Sequence, residues 1–382
     1  MTNSFYVFPT SIRHLLSGVS GAMASEAGIS GVRMLSERGE YHRRKPEIIS
    51  SGLDQKSINY IKGFYEKKSE TFLAQYAVIF EDCVLLGQGC VITKNNFLIL
   101  DSCWEIIQNR IPIPGIEKIL DGLFKKNFVE TGVADDTCLL LKRPWWRNYG
   151  HFLLDSAALF SLYGSLFDVS NLTLVTGKFE DKQVGCVAHQ ALMAIGEPRR
   201  IVEYTDDQII KFKRLIYPMP VSRPPLFKLP QAIKSIREIF INKKINFVNK
   251  RDKIYIKRSN ARARRLLNED LVVDACRSEG FDIVEPENFS LVEQAKIFHN
   301  ANVIVGIKGA ALTNTIFCSP GCAILVISPE HWQDAFFWDI AGQLDLRYYE
   351  IFCKTIGNYY ENWDVPFEIS IDIFLSILKK LL

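Results

Sequence analysis

The stretch Lys253–Pro329 constrains the fold more than any other. Four short apolar runs recur in it: Ile254-Tyr255-Ile256, Phe281-Asp282-Ile283-Val284, Ala301-Asn302-Val303-Ile304-Val305, and Ala323 to Ile327. Helical patterns fill the gaps between them. A chain that alternates strand and helix in this way predicts an α/β fold, a parallel sheet covered by helices on both faces. In such sheets ligands bind outside the carboxyl ends of the strands. The polar, basic and glycine-bearing residues sit at those ends, in Lys257-Arg258-Ser259, Glu285-Pro286-Glu287, Lys308-Gly309-Ala310-Ala311-Leu312-Thr313-Asn314 and Ser328-Pro329. A site is expected there.

Upstream the patterning changes. Short apolar runs between Tyr76 and Asp101, separated by Asp82, Gly87-Gln88-Gly89 and Lys94-Asn95-Asn96, have the spacing of antiparallel hairpins. Strands are expected at Thr137–Leu141, Leu172–Thr176, Arg200–Tyr204 and Arg214–Tyr217, with helices from Tyr149 to about Leu166 and from Gln183 to Ile195. Pro218, Pro220, Pro224, Pro225 and Pro230 mark the clearest boundary. Four segments follow: a weakly patterned N-terminal extension (1–75), a first α/β domain (76–228), a second (229–345), and a C-terminal tail and helix (346–382). Ser290-Leu291-Val292-Glu293 is a capping box for a helix running to His299.

Charge and cysteine usage narrow the class. A formal charge of +3 among 382 residues does not argue for nucleic acid. The basic residues are unevenly spread, however. Eight Lys or Arg against one Asp lie between Lys250 and Arg265, beside a strand end, which suits either a solvated face or an anion site. Nine cysteines without a Cys-x-x-Cys pair read as reduced, mostly buried thiols and not as a disulfide framework or a zinc site. The sequence shows neither a signal-peptide pattern nor an uninterrupted apolar run long enough for a membrane span. The expectation is a cytoplasmic protein, with contact at the inner face of the plasma membrane left open.

Two constellations carry chemistry. The Lys308 to Asn314 turn follows a buried strand, and its small residues let backbone N–H groups approach a ligand. A helix N-terminus would add positive potential, so the turn suits a diphosphate. Arg258, with Arg264 or Arg265, could reach the same space and offers two-pronged hydrogen bonding to phosphate. Many strand–helix turns need small residues only for packing, and Arg265, Asn268 and Glu269 also suit helix capping and surface ion pairing. The second constellation is His151 and Asp155, four residues apart on one helix face. A histidine can take a proton from a hydroxyl, and a carboxylate can orient it or act itself; spacing does not choose between them. No Asp-x-Asp, Walker loop, Gly-x-Gly-x-x-Gly or Gly-x-Ser-x-Gly motif occurs.

At these residues the chain resembles glycosyltransferase family 61. Asn148-Tyr149-Gly150-His151-Phe152-Leu153-Leu154-Asp155 is similar to that family's N-x-x-H-x-x-x-D region. Ile254 to Ser259 with Arg265-Leu266-Leu267-Asn268-Glu269 is similar to its Ser-Arg…Arg-x-x-Asn-Glu segment. Gly280-Phe281, Glu293-Gln294 and Ala301 to Asn314 follow in the family's order. The resemblance implies a GT-B-like fold, two Rossmann-like domains with a cleft between them. It also implies an inverting, metal-independent transfer of a sugar from a nucleotide donor, with no cofactor. It places Arg258, Arg265, Asn268, Glu269, Lys308, Gly309, Ala310, Thr313 and Asn314 on the donor, Asn148 and Gly150 on the acceptor side, and His151 or Asp155 as base. The partners implied are a nucleotide sugar and a glycan or lipid-linked glycan. The chain looks more like bacterial members associated with capsule or surface polysaccharide. Lys308 and Ala311 depart from the family's usual His and second Gly, and Val326 stands where an acidic residue is common. Two other readings stay open: a pyruvyl or other group transferase acting on polysaccharide, and a non-catalytic glycan-binding relative.

Overall fold

The computed structural model describes residues 8–16, 21–103, 129–223, 227–241, 252–258 and 265–382. The Arg110–Gly115 loop and the residues Ser259, Arg262 and Arg264 lie outside them. The chain is α/β and divides into two compact units, residues 1–39 with 72–224, and residues 40–71 with 225–382.

The first unit is built on a nine-stranded mixed sheet. Four of its strands are mutually parallel: Arg200–Tyr204, Thr173–Gly177, Val129–Leu140 and Gln208–Pro218. The last of these pairs antiparallel with Gln75–Leu86, which continues through Cys90–Ile92 to Phe97–Ile99 as antiparallel hairpins. Asp82 adopts a left-handed backbone (φ 52°) inside the Gln75–Leu86 strand. The break expected there is therefore a local irregularity in one continuous strand. Val78, Phe80, Leu140, Val175, Leu215 and Tyr217 belong to the core on this sheet.

The second unit is a six-stranded, wholly parallel sheet. From residue 253 onward its strands are, in chain order, Lys253–Ile256, Asp282–Val284, Val303–Ile307, Ala323–Pro329 and Arg347–Cys353. In space they run second, first, third, fourth, fifth. Successive side chains enter opposite faces, so Tyr255, Val305, Leu325 and Ile351 share one buried core while the intervening Ile254, Ile304 and Ile324 are buried as well. Helices Glu269–Ser278 and Ile371–Leu381 pack together. Leu291–Asn300 opens with the expected capping box at Ser290 and Glu293.

Residues 1–75 are not a separate extension. Ile29–Ser36 pairs with Gln75–Leu86 in the first unit. Glu47–Ser51 is the sixth strand of the second sheet, parallel to Arg347–Cys353. Buried charge explains why residues 40–71 join the second unit. Arg43 pairs with Glu70 at 2.6 Å and Asp339 at 3.2 Å, and its guanidinium lies 4.4 Å from the centre of the Trp338 ring. The segment after residue 346 is likewise no tail: it supplies the fifth strand and the closing helix.

Gly177 ends its strand directly under the buried Trp146, where an added Cβ would lie 2.2 Å from the indole. We expect Gly177→Ala to destabilise the protein by about 1–3 kcal/mol through overpacking, read as a lower urea midpoint. An unchanged midpoint would show that the indole relocates freely.

Candidate functional site

In the second unit strand order reverses between Lys253–Ile256 and Val303–Ile307, whose connections leave to opposite sides. This is the switch point at which open α/β sheets bind ligands. Arg258 follows the first of these strands and Gly309 the other. A Cβ built on Gly309 would stand 3.4 Å from Cζ and Nε of Arg258, so the guanidinium lies against bare backbone there. Nη1 of Arg258 is buried without a hydrogen-bond partner among the described residues. Burial lowers the guanidinium's pKa from its ordinary value, and the charge of Glu269 is foremost among those opposing that shift. An arginine nitrogen so placed has the donor capacity to bind an anion.

The other expected donor residues divide. Gly309 is buried and extended (φ 177°), and it caps a 3₁₀ helix, Ala310–Phe317, where an α-helix start was expected. Ala310 is half-buried beside it. Thr313 is buried, and its hydroxyl has no hydrogen-bond partner among the described residues. Arg265 is exposed, and its carbonyl accepts from Phe367 N at 3.1 Å. Glu269 accepts from Tyr255 Oη at 2.9 Å, and burial raises its carboxyl pKa. Asn268 pins a distant segment, donating to the Ile369 carbonyl at 2.8 Å and accepting from Ile369 N at 3.2 Å. The Asn314 amide donates to Gln294 Oε1 at 2.7 Å inside the core. Asn268 and Asn314 thus hold the framework behind the switch point.

Lys308 is corrected most clearly. It was expected to add a charge to the diphosphate turn, but it is buried with Nζ 2.8 Å from Glu350 and 3.4 Å from Asp334. The same ammonium donates to the Trp332 carbonyl at 3.1 Å. Burial alone would lower its pKa; Asp334 and Glu350 outweigh that and raise it. Its positive charge is consumed inside the unit. Glu350 is also bonded by Ser328, Tyr65 and Tyr348.

In the first unit His151 sits just past the carboxyl end of the parallel strand Val129–Leu140, in the first turn of the helix covering residues 149–163. Asn148 caps that helix, accepting from Gly150 N at 2.9 Å and His151 N at 3.4 Å. Asn148 and the buried Gly150, expected on the acceptor side, therefore shape the turn that carries His151. Phe152–Ala157 is a π-helical stretch, an insertion that concentrates at functional sites. His151 Nδ1 lies 2.8 Å from Asp155 Oδ2, and the hydroxyl of Ser222 donates to Asp155 Oδ1. Both carboxylate oxygens are engaged, and the ring nitrogen turned away from the carboxylate is Nε2. Ser222 was missed: it lies 67 residues from Asp155, in a stretch whose only signal was proline.

The turn before His151 is pinned on both sides. Lys142 pairs with Asp206 at 3.0 Å, Arg147 with the same carboxylate at 2.7 Å, and Arg143 donates to the Pro218 carbonyl. Trp146 is buried under the Arg147 guanidinium, 4.3 Å from its ring centre. Trp145 between them takes a left-handed backbone (φ 65°), strain on the order of 1–3 kcal/mol for a bulky residue.

Comparison with known proteins gives two findings. Residues 149–325 match the family model described as Glycosyltransferase 61, just under half of the chain and a span holding both constellations from His151 onward. Over 114 residues the chain is 32% identical to a protein of Arabidopsis thaliana named xylan glycosyltransferase MUCI21, covering 28% of this chain. The chain spans about a quarter of that relative's length, 23%. Both findings support a glycosyltransferase.

Replacing Lys308 by Met leaves Glu350 buried and unpaired. We expect a loss of about 3–5 kcal/mol for Lys308→Met, largely recovered in Lys308→Met/Glu350→Leu, read by thermal melting. Full stability of the single variant would show that Glu350 needs no counter-charge.

Proposed function

We propose that the chain is a glycosyltransferase that moves a sugar from a nucleotide-sugar donor to a glycan with inversion, without a metal, on a GT-B-like pair of domains. The observation that carries the reading is Arg258, laid against Gly309 at the switch point with a buried nitrogen that has no hydrogen-bond partner among the described residues. The second unit takes the donor, the diphosphate lying on the Arg258 guanidinium and the backbone of Gly309 and Ala310. The first unit takes the acceptor.

In the reaction the acceptor oxygen attacks the anomeric carbon as the bond from that carbon to the diphosphate oxygen breaks, and the electron pair leaves with the diphosphate. Nε2 of His151 takes the acceptor's proton. Asp155 holds Nδ1–H and stabilises the imidazolium, and Ser222 holds Asp155, so the carboxylate orients the base and does not act as one. Arg258 stabilises charge on the leaving group, a role a metal fills elsewhere. Polysaccharide as the acceptor class is supported by the name of the plant relative. That relative, a plant protein, offers no support for a bacterial surface-polysaccharide setting. Among the described residues no helix is long and apolar enough to cross a membrane.

Melting of the purified protein with UDP, GDP, CMP, dTDP or ADP, with and without EDTA, tests the donor side. One nucleotide should raise the midpoint equally in both conditions; no shift with any of them would overturn the reading. Arg258→Ala should abolish that shift with the fold intact, and unchanged affinity would remove the phosphate assignment. His151→Ala should lower turnover about 100-fold or more with donor affinity unchanged. Asp155→Asn should lower turnover less, because the base itself remains. Near wild-type turnover in both variants would place the base elsewhere.

A further inference from the structure

Two adjacent tryptophans meet opposite fates. Trp146 is buried beneath charged neighbours, with Gly177 cleared to receive it. Trp145 leaves about half of its surface, 51%, in solvent on a left-handed backbone. Neither property is what the demands of a folded core select. An exposed indole buries less apolar area than an interior one, and glycine would adopt this backbone without strain. The turn is over-determined from both sides, since Asn148 N donates to the Trp145 carbonyl at 2.8 Å and Trp146 N to the Arg143 carbonyl at 3.2 Å. Strain maintained in this way at a site marks a positioned side chain. What it positions is clear from the neighbour: the Trp145 ring centre lies 6.1 Å from that of His151, with 30° between the planes.

We propose that Trp145 is the platform for the acceptor sugar, and that the acceptor residue is a pyranose with an unbroken face of C–H bonds, as in xylo- or gluco-configured units. This rests on the reading of His151 as base. An indole face attracts the polarised C–H groups of such a ring, and its area is large and rigid. A pyranose lying on it would have its rim hydroxyls in the neighbourhood of the imidazole, whose ring centre is 6.1 Å from that of the indole. Trp145 would then decide which sugar is held and in what register, while the diphosphate is handled by residues of the other unit.

The test is intrinsic fluorescence and calorimetric titration of the full chain with xylo-oligosaccharides and cello-oligosaccharides, with nucleotide-induced melting shifts read on the same preparations. Wild-type protein should bind at least one of the two series; binding of neither overturns the proposal. Trp145→Ala should weaken binding about tenfold or more, and Trp145→Phe should restore most of it. Trp145→Gly should lose binding while its melting temperature stays level or rises, because the strain is gone. A lowered melting temperature in both Ala and Gly variants with glycan affinity retained would show a structural tryptophan and overturn the platform. The nucleotide shift should survive in all three variants. Glycan binding that depends on Trp145 in a protein with no nucleotide shift would instead overturn the transferase reading and leave the platform standing.

Discussion

A parallel sheet whose strand order reverses must leave a gap where its connections part, and the second unit is organised around that requirement. Lys253–Ile256 and Val303–Ile307 are neighbours, yet the chain leaves one toward Asp282–Val284 and the other toward Ala323–Pro329. Among the described residues, the backbone of Gly309 and the side chain of Arg258 meet there. The bareness of Gly309 matters for proximity and not for a special dihedral, since its backbone is extended. The guanidinium comes close because no side chain stands in its way.

Behind that gap the unit spends its charged residues on itself. Lys308 is enclosed by Glu350 and Asp334, and Arg43 by Glu70 and Asp339. Such clusters add little net stability over apolar packing, but breaking one leaves an uncompensated charge in a poor solvent. They hold the sheet's edge in one arrangement. The departure of Lys308 from the histidine usual in the resembling family is thus an internal matter: the carboxylates that receive its charge come from the following strand–helix connection and the fifth strand.

What the sequence disclosed follows the range of each interaction. The Ser290 capping box, the Arg200–Tyr204 strand and the pairing of His151 with Asp155 depend on residues within a few positions of each other, and each was legible. The destination of the Lys308 charge was not, because Asp334 and Glu350 stand 26 and 42 residues away. Ser222 was hidden for the same reason. Glu47–Ser51 gave no sign of its sheet, because its partner strand begins three hundred residues later and any short, half-polar strand fits an edge. The π-helical stretch after His151 also left no mark, since an extra residue in a helix does not disturb the apolar pattern enough to be read.

The chain passes between the two units three times, after Gly39, after Thr71 and after Pro224. The part that matches the glycosyltransferase family begins at residue 149 and ends at residue 325, inside the Ala323–Pro329 strand. It omits Val129–Leu140 and Gln75–Leu86 from one sheet and Arg347–Cys353 and Glu47–Ser51 from the other. The family-matching segment is therefore not a body that can be excised. Cut out alone, it would expose raw sheet edges, rows of unpaired N–H and C=O groups on which polypeptides pair with one another and aggregate.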